Sequence, residues 1–141
     1  MKRSVARSGG STEPGSGLGR AITIRNVALA VLGAAVLVLK SGSEGPFEDV
    51  LDAYAGNVAV SFALYFAVIN ATSSYGRPRF IAAALTLLAV ELFEITNGFG
   101  VMANVYDPAD LIANGAGVGL AVIVDVATGR VLRRRYERGA R

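Results

Sequence analysis

The chain has 141 residues, of which 52% are hydrophobic and 18% are charged, and its net charge is +3. Its mean hydropathy of +0.47 exceeds that of an ordinary soluble domain and excludes disordered and fibrous classes for the middle of the chain. Because Cys and His are absent, disulfides, zinc and iron–sulfur ligands and an imidazole general base are also excluded. Any catalysis or ligand binding must therefore use carboxylates, hydroxyls, amides or Arg.

The N-terminal region predicts a flexible tail followed by a membrane span. Residues 1–20 are rich in Gly and Ser, which favours a flexible cytoplasmic tail. The apolar stretch at residues 22–39 is long enough to cross a bilayer, with Arg25 snorkelling at its inner edge. A cleaved secretory signal is the rival interpretation. It is disfavoured because the basic region is very long and Lys40 stands where small residues should prepare cleavage.

Three further helices are predicted, separated by polar loops. Gly, Ser, Pro and acidic residues mark connections near residues 41–49, 72–79 and 98–108. The predicted spans lie at residues 22–39, 50–71, 80–97 and 109–127. The prediction is therefore an all-α protein, with a four-helix transmembrane domain at residues 21–128 and a basic cytoplasmic tail at residues 129–141.

The distribution of basic residues predicts the orientation. Thirteen of the 14 Lys and Arg residues fall in the N-terminal region, the second connection or the C-terminal tail, and only Lys40 falls on the other side. By the positive-inside rule, both termini are cytoplasmic in a multi-pass protein of a bacterial or archaeal inner membrane. The C-terminal Arg cluster could bind RNA, but it is interpreted as an anchor against anionic lipid, so no nucleic-acid partner is expected.

Acidic residues inside the spans predict a ligand site. Counted from Phe80, Glu91 lies about 16 Å and Glu94 about 21 Å into the bilayer. A charged acid facing lipid costs about 3 kcal/mol or more, so both glutamates should face the bundle, on one helix face. Polar residues of the second and fourth spans lie at similar depth, which predicts a pocket open to the outside. The candidate ligand-binding residues are Glu91, Glu94, Asp110, Asn114, Asn57 and Asp107.

The acidic and amide residues of the spans, the segment from Gly115 to Gly119 and Asp125 can each also be interpreted as purely structural. Intramembrane carboxylates and amides can simply hold helices together. The segment from Gly115 to Gly119 imitates a nucleotide-binding loop, but no strand precedes it, so close helix packing through these two glycines is expected. Asp125 is interpreted as an interfacial partner of Arg130.

The third and fourth spans resemble the VanZ-like membrane protein family. That family has a Glu-rich motif ending one span and an Asp-Leu motif, followed by Asn and Gly, opening the next. The matching residues are Glu91, Glu94, Asp110, Leu111, Asn114 and Gly117. The family commonly has Gln where this chain has Glu94, and a loop Arg that this chain lacks. The resemblance implies a cell-envelope context related to glycopeptide resistance, chiefly to teicoplanin, without a defined reaction.

Three functional hypotheses follow. The first is a VanZ-like envelope protein whose outward acidic pocket binds a polar headgroup or envelope ligand, with the bilayer as its surroundings. The second is an accessory subunit of a larger membrane complex. The third is a membrane enzyme that uses a carboxylate-bound divalent cation, since oxygen ligands suit Mg²⁺ or Ca²⁺. The sequence favours a non-enzymatic protein without a cofactor or metal site, because no nucleophile or phosphate-binding Arg lies at the level of the pocket.

Overall fold

The described part of the chain contains four helices and no β-strand. The computed structural model describes residues 14–39, 48–96, 99 and 107–139. The helices are α1 (Pro14–Leu39), α2 (Glu48–Ala71), α3 (Pro78–Ile95) and α4 (Pro108–Gly139). The prediction of an all-α protein with four helices is confirmed for these ranges. The predictions for Lys40, for the loops at 41–47 and 100–106 and for most of the N-terminal tail lie outside the described residues.

Proline and polar caps determine the connections between α3 and its neighbours. Pro78 lies in the first turn of α3 and Pro108 begins α4, where a missing backbone N–H is tolerated. Asp107 caps α4, because its Oδ1 accepts a hydrogen bond from the backbone N–H of Ala109 at 2.9 Å. Beyond the last residue of α3, Oγ1 of Thr96 donates to the carbonyl oxygen of Leu92 at 2.7 Å. Prolines and side-chain hydrogen bonds therefore mark where α3 and α4 begin and where α3 ends.

Two helices extend past their predicted spans. α1 begins at Pro14, before the expected start at residue 22, and α4 runs to Gly139, through the predicted basic tail. The two extensions contact each other, because Oη of Tyr136 donates to the carbonyl oxygen of Gly17 at 3.2 Å. The structure differs from the expected flexible segment from Pro14 onward, where the chain is helical. Contact with α4 offsets the low helix propensity of the glycines in this segment.

α2 and α4 form the centre of the bundle. α2 contacts each of the other three described helices, whereas α1 and α3 do not contact each other. Successive helices alternate in direction, so α2 and α4 run parallel. The parallel central pair therefore has one helix on either side of it.

The buried core lies between α2, α3 and α4. Its buried apolar members are Tyr65, Phe66, Ile69, Ala82, Val118 and Ala121. Phe66 makes edge-on ring contacts with Phe62 and Tyr65, with centroids 5.0 and 5.2 Å apart. Such contacts add to the stabilisation that comes from burying apolar area. α2 thus supplies the aromatic centre against which α3 and α4 pack small residues.

The outer surface of the bundle is apolar. Exposed large hydrophobic side chains occur on every helix, for example Val60 on α2, and the exposed fraction reaches 75% at Leu39 and Ile112 and 73% at Phe80. Monomeric soluble proteins rarely expose apolar surface to this extent. This surface is therefore typical of a protein whose surroundings are lipid.

Among the described residues, three helices are long and apolar enough to cross a membrane. They are Gly17–Leu39 with 23 residues, Tyr54–Ala71 with 18 and Pro108–Gly139 with 32. α3 has 18 residues and is also mainly apolar, but it includes one Arg and two Glu. The prediction of helices that are long and apolar enough to span a membrane is confirmed for these three.

Candidate functional site

Polar side chains of α2 and α4 pair with each other across the central helix contact. Nδ2 of Asn57 donates to Oδ1 of Asp110 at 2.6 Å, and Oγ of Ser61 donates to Oδ1 of Asn114 at 3.0 Å. We call these four residues the polar seam. Three predicted site residues therefore come together. Ser61 was missed, although it stands four residues after Asn57, just as Asn114 stands four residues after Asp110.

The polar seam follows the parallel alignment of the two helices. Both hydrogen bonds join residues 53 positions apart, because parallel helices advance in step. Gly117 continues this face of α4, and a Cβ atom there would lie 2.5 Å from the carbonyl oxygen of Val58. Gly115 and Gly119 have nothing within 4 Å of such an atom. The predicted close contact of Gly115 and Gly119 is therefore not made within the described chain, because Gly117 occupies the face that meets α2.

The two glutamates of α3 lie in different surroundings. Glu94 is only 4% exposed and lies on the buried face of α3, four residues after Val90. Glu91 lies about 60° away around the helix and is half-buried. Its Oε2 is enclosed by protein and has no hydrogen-bond partner among the described residues. The expectation that the acids turn toward the bundle therefore holds for Glu94, whereas Glu91 lies at the edge of the buried face.

Asp107 caps the start of α4. It is exposed, and one of its carboxylate oxygens accepts the hydrogen bond from Ala109. Sequence spacing placed it on one face with Asp110 and Asn114, but its position precedes the first helical residue. Among the described residues, no group of three or more His, Cys, Asp or Glu side chains could hold a metal ion. We call the polar seam together with Glu91 and Glu94 the acidic end of the bundle.

A second polar cluster surrounds Asp125 at the opposite end. Asp125 is 1% exposed and forms ion pairs with Arg25 of α1 and with Arg79 of α3, whose Nε lies 2.5 Å from Oδ2. Oη of Tyr65, on α2, donates to the same Oδ2 at 3.4 Å. One buried carboxylate therefore links all four helices. We call this region, with the α2–α3 turn at residues 72–77, the basic end.

Arg25 is held by five hydrogen bonds. Nη2 donates to the side-chain oxygens of Asp125 and Asn26, and Nε also donates to Oδ1 of Asn26 at 3.1 Å. Nη1 donates to the backbone oxygen of Asp125 at 3.3 Å and to Oγ1 of Thr128 at 3.0 Å. These bonds match the five N–H groups of a guanidinium. Arg25 therefore points into the bundle instead of snorkelling, because a buried carboxylate is available there.

The cluster continues from α1 to α2 through a pair of amides. Nδ2 of Asn26 donates to Oδ1 of Asn70 at 2.8 Å, while Oδ1 of Asn26 accepts from Arg25. Asn26 is buried, so these bonds satisfy polar atoms that water does not reach. The first two helices are thus joined to the Asp125 cluster at the same level.

The predicted pairing of Asp125 with Arg130 is wrong. Arg130 is exposed and lies about 140° away from Asp125 around α4. The partners come instead from 100 positions earlier in α1 and 46 positions earlier in α3. The available signal was the isolation of Asp125, since α4 has no other acid between Asp110 and Glu137. An isolated acid in an apolar helix needs a partner from another helix.

A cavity of about 690 Å³ opens beside Asp125. All four helices and the α2–α3 turn contribute to its walls. Its charged lining residues are Arg25, Arg77, Arg79, Arg133 and Asp125. This cavity lies at the basic end, opposite the predicted acidic pocket, and four guanidiniums with one carboxylate suit an anion.

Comparisons of the chain with protein-family models, with curated proteins and with solved structures find no match.

Proposed function

We propose that the chain is a four-span integral membrane protein of a bacterial or archaeal cell envelope, VanZ-like in type, with both termini in the cytoplasm. Its acidic end faces outward and binds a polar or cationic headgroup or an envelope ligand, without catalysing a reaction. The observation that carries the binding proposal is the enclosed Oε2 of Glu91, which the described residues leave without a hydrogen bond.

The composition of α3 supports a fourth span. Its 18 residues give a length of about 27 Å, close to the hydrocarbon thickness of about 30 Å. Leu85, Leu88 and Leu92 are exposed on its outer side. The charged residues lie near its two ends, where Arg79 and Glu94 are turned toward buried partners or the buried face. A helix of this kind exposes leucine side chains to lipid and turns its charged side chains away from lipid.

The positions of the chain ends support the orientation. The extensions of α1 and α4 contact each other, and the α2–α3 turn lies beside them at the basic end. Arg residues concentrate in these segments, whereas Asp107 before α4 and Asp110 in its first turn lie at the other end. The positive-inside rule then assigns the basic end to the cytoplasm.

The chemistry of the acidic end supports a ligand that donates hydrogen bonds. An enclosed acceptor without a partner costs about 1–3 kcal/mol. The Glu91 side chain is only half-buried, so a turn of its carboxylate toward a ligand N–H group recovers this cost. Asp110 already accepts from Asn57 and Asn114 accepts from Ser61, so the seam holds α2 and α4 together while Glu91 keeps an unused oxygen. An ammonium-bearing headgroup supplies both the donor and the opposite charge.

The test uses the carboxyl-reactive reagent dicyclohexylcarbodiimide on the full chain in phosphatidylcholine nanodiscs. We expect mass spectrometry to locate an adduct on Glu91, and phosphatidylethanolamine in the nanodisc to slow its formation several-fold. Glu91→Gln should remove the adduct, while Glu137→Gln, at an exposed acid of the basic end, should change neither the adduct nor its slowing by phosphatidylethanolamine. An adduct on Glu91 that forms at the same rate with and without phosphatidylethanolamine would contradict the binding proposal.

A second candidate function is that of an accessory subunit. Gly115 and Gly119 leave a small-residue face of α4 with nothing within 4 Å, beside the exposed Ile112. Faces of this kind allow transmembrane helices to approach closely. This function predicts a stoichiometric partner in mild detergent that Gly119→Leu displaces. A monomer in mild detergent would count against it.

A further inference from the structure

We propose that the cavity at the basic end binds the phosphate headgroup of an anionic membrane lipid. Its lining carries four positive charges and one negative charge, which leaves a net charge of +3. The site lies at the opposite end of the bundle from Glu91. The inference uses the membrane placement of the protein and is independent of any ligand at the acidic end.

Arg79 is oriented for such a ligand. Its Nε is held by Oδ2 of Asp125 at 2.5 Å, while its side chain is 45% exposed and lines the cavity. Neither of its Nη atoms forms a hydrogen bond with a described residue. The buried carboxylate therefore fixes the direction of the guanidinium and leaves its outer N–H groups available. Two parallel N–H groups of Arg bind two oxygens of a phosphate.

Two of the three net positive charges of the cavity come from two other arginines. Arg77 lies in the α2–α3 turn and Arg133 lies on α4, so they reach the cavity from different walls. Both are exposed, and the ion pairs of the described residues involve neither of them. Asp125 is already shared by Arg25 and Arg79. An anion in the cavity therefore meets guanidiniums that no acidic side chain of the described residues neutralises.

Gly129 leaves space for the ends of two guanidiniums. It is buried and lines the cavity one turn after Asp125. A Cβ atom at this position would lie 3.1 Å from Nη2 of Arg79 and 3.2 Å from Nη1 of Arg25. Any side chain at position 129 must therefore shift these groups, so glycine helps to shape the site.

The apolar part of the lining favours a lipid over a soluble anion. Ile22, Ile69, Pro78 and Phe80 share the cavity with the arginines, and Phe80 is 73% exposed on the outer surface of α3. A phosphate joined to an acyl glycerol fits arginines on one side and apolar side chains on the other. Basic pockets between transmembrane helices on the cytoplasmic side are known to bind lipid headgroups in this way.

The experiment is a titration of the full chain in detergent with phosphatidylglycerol or phosphatidylcholine, followed by native mass spectrometry. We expect saturable binding of phosphatidylglycerol with a preference over phosphatidylcholine. Replacing both unpaired cavity arginines (Arg77→Gln with Arg133→Gln) should weaken phosphatidylglycerol binding about tenfold or more. The matched control, Arg134→Gln with Arg135→Gln, removes the same charge from exposed positions outside the cavity and should change binding less than about twofold.

Additional measurements distinguish a specific lipid site from misfolding, from unspecific charge attraction and from a soluble phosphate site. Thermal unfolding should show that both double variants fold like the parent, since none of the four arginines is in an ion pair of the described residues. Gly129→Ala should weaken phosphatidylglycerol binding without removing a charge. Equal losses in the two double variants would mean unspecific attraction and would overturn the proposal. Displacement of the lipid by micromolar inorganic phosphate would identify a soluble phosphate site and overturn the lipid assignment.

Discussion

Gly117 of α4 lies so close to Val58 of α2 that a Cβ atom at position 117 would come within 2.5 Å of the Val58 carbonyl oxygen. Gly117→Ala should therefore lower the free energy of unfolding by about 1–3 kcal/mol, although alanine is the better helix former. Thermal unfolding in detergent, followed by circular dichroism, measures the change. Gly119→Ala is the control and should be neutral or slightly stabilising, since nothing lies within 4 Å of it. Equal melting temperatures would contradict the central α2–α4 contact.

Asp125→Asn should be severely destabilising. The substitution leaves Arg25 and Arg79 without their shared carboxylate, and removing one member of a buried ion pair costs about 3–5 kcal/mol. Denaturant unfolding of the purified protein measures the loss. Glu137→Gln removes an acid from an exposed position of the same helix and should have little effect. If both variants unfold at the same denaturant concentration, Asp125 does not link the four helices.

Arg25→Lys should destabilise the protein although the charge is kept. Lysine offers three N–H donors from one point and cannot reproduce the five bonds that Arg25 makes to three residues. We expect a loss of about 1–3 kcal/mol in the free energy of unfolding. Arg20→Lys, at an exposed position of the same helix, should change it by less than about 0.5 kcal/mol. Full stability of Arg25→Lys would show that charge alone is required there.

The Ser61–Asn114 hydrogen bond should appear as an energetic coupling. In a double-mutant cycle with Ser61→Ala and Asn114→Ala, we expect a coupling of about 0.6 kcal/mol, with an upper value near 1.7 kcal/mol. A cycle that combines Ser61→Ala with Thr128→Ala should give a coupling near zero, because Oγ1 of Thr128 bonds instead to Val124 and Arg25. Similar couplings in the two cycles would mean that the seam bond contributes nothing specific.

Single cysteines at the two ends of the bundle should be accessible to a thiol reagent from opposite sides of the membrane. The chain has no cysteine, so Ser74→Cys in the α2–α3 turn and Asp107→Cys before α4 each introduce one thiol at an exposed position. In intact cells, a membrane-impermeant maleimide should label position 107 and leave position 74 unlabelled until the membrane is permeabilised. Labelling of position 74 in intact cells would reverse the proposed orientation.

The fold could be predicted from the sequence where apolar runs dominate. Four apolar segments separated by polar loops indicated the four helices, because a run of that length can satisfy its backbone only as a helix in lipid. The ends of α1 and α4 were predicted less well. They depend on the contact between Tyr136 and Gly17, which joins residues 119 positions apart and leaves no local pattern.

The candidate sites could be predicted only in part. The spacing of Asp110 and Asn114 correctly placed both on one helix face, and they meet α2 through Asn57 and Ser61. The Asp125 cluster was missed because sequence proximity suggested a neighbour on α4. The actual partners depend on which helices are adjacent, and the parallel pairing of α2 and α4 cannot be deduced from helix periodicity.

The ion pair between Arg25 and Asp125 has a consequence for how the protein is made. Translation produces Arg25 100 residues before its partner, which corresponds to about 5–20 s at ordinary ribosome speeds. In the proposed four-span topology, the first helix therefore enters the membrane before the carboxylate that pairs with Arg25 has been made, and the next two helices are inserted in the meantime. The carboxylate of Asp125 becomes available only when the last helix has been made. The ion pair with Arg25 therefore forms in a final step, once synthesis is nearly complete.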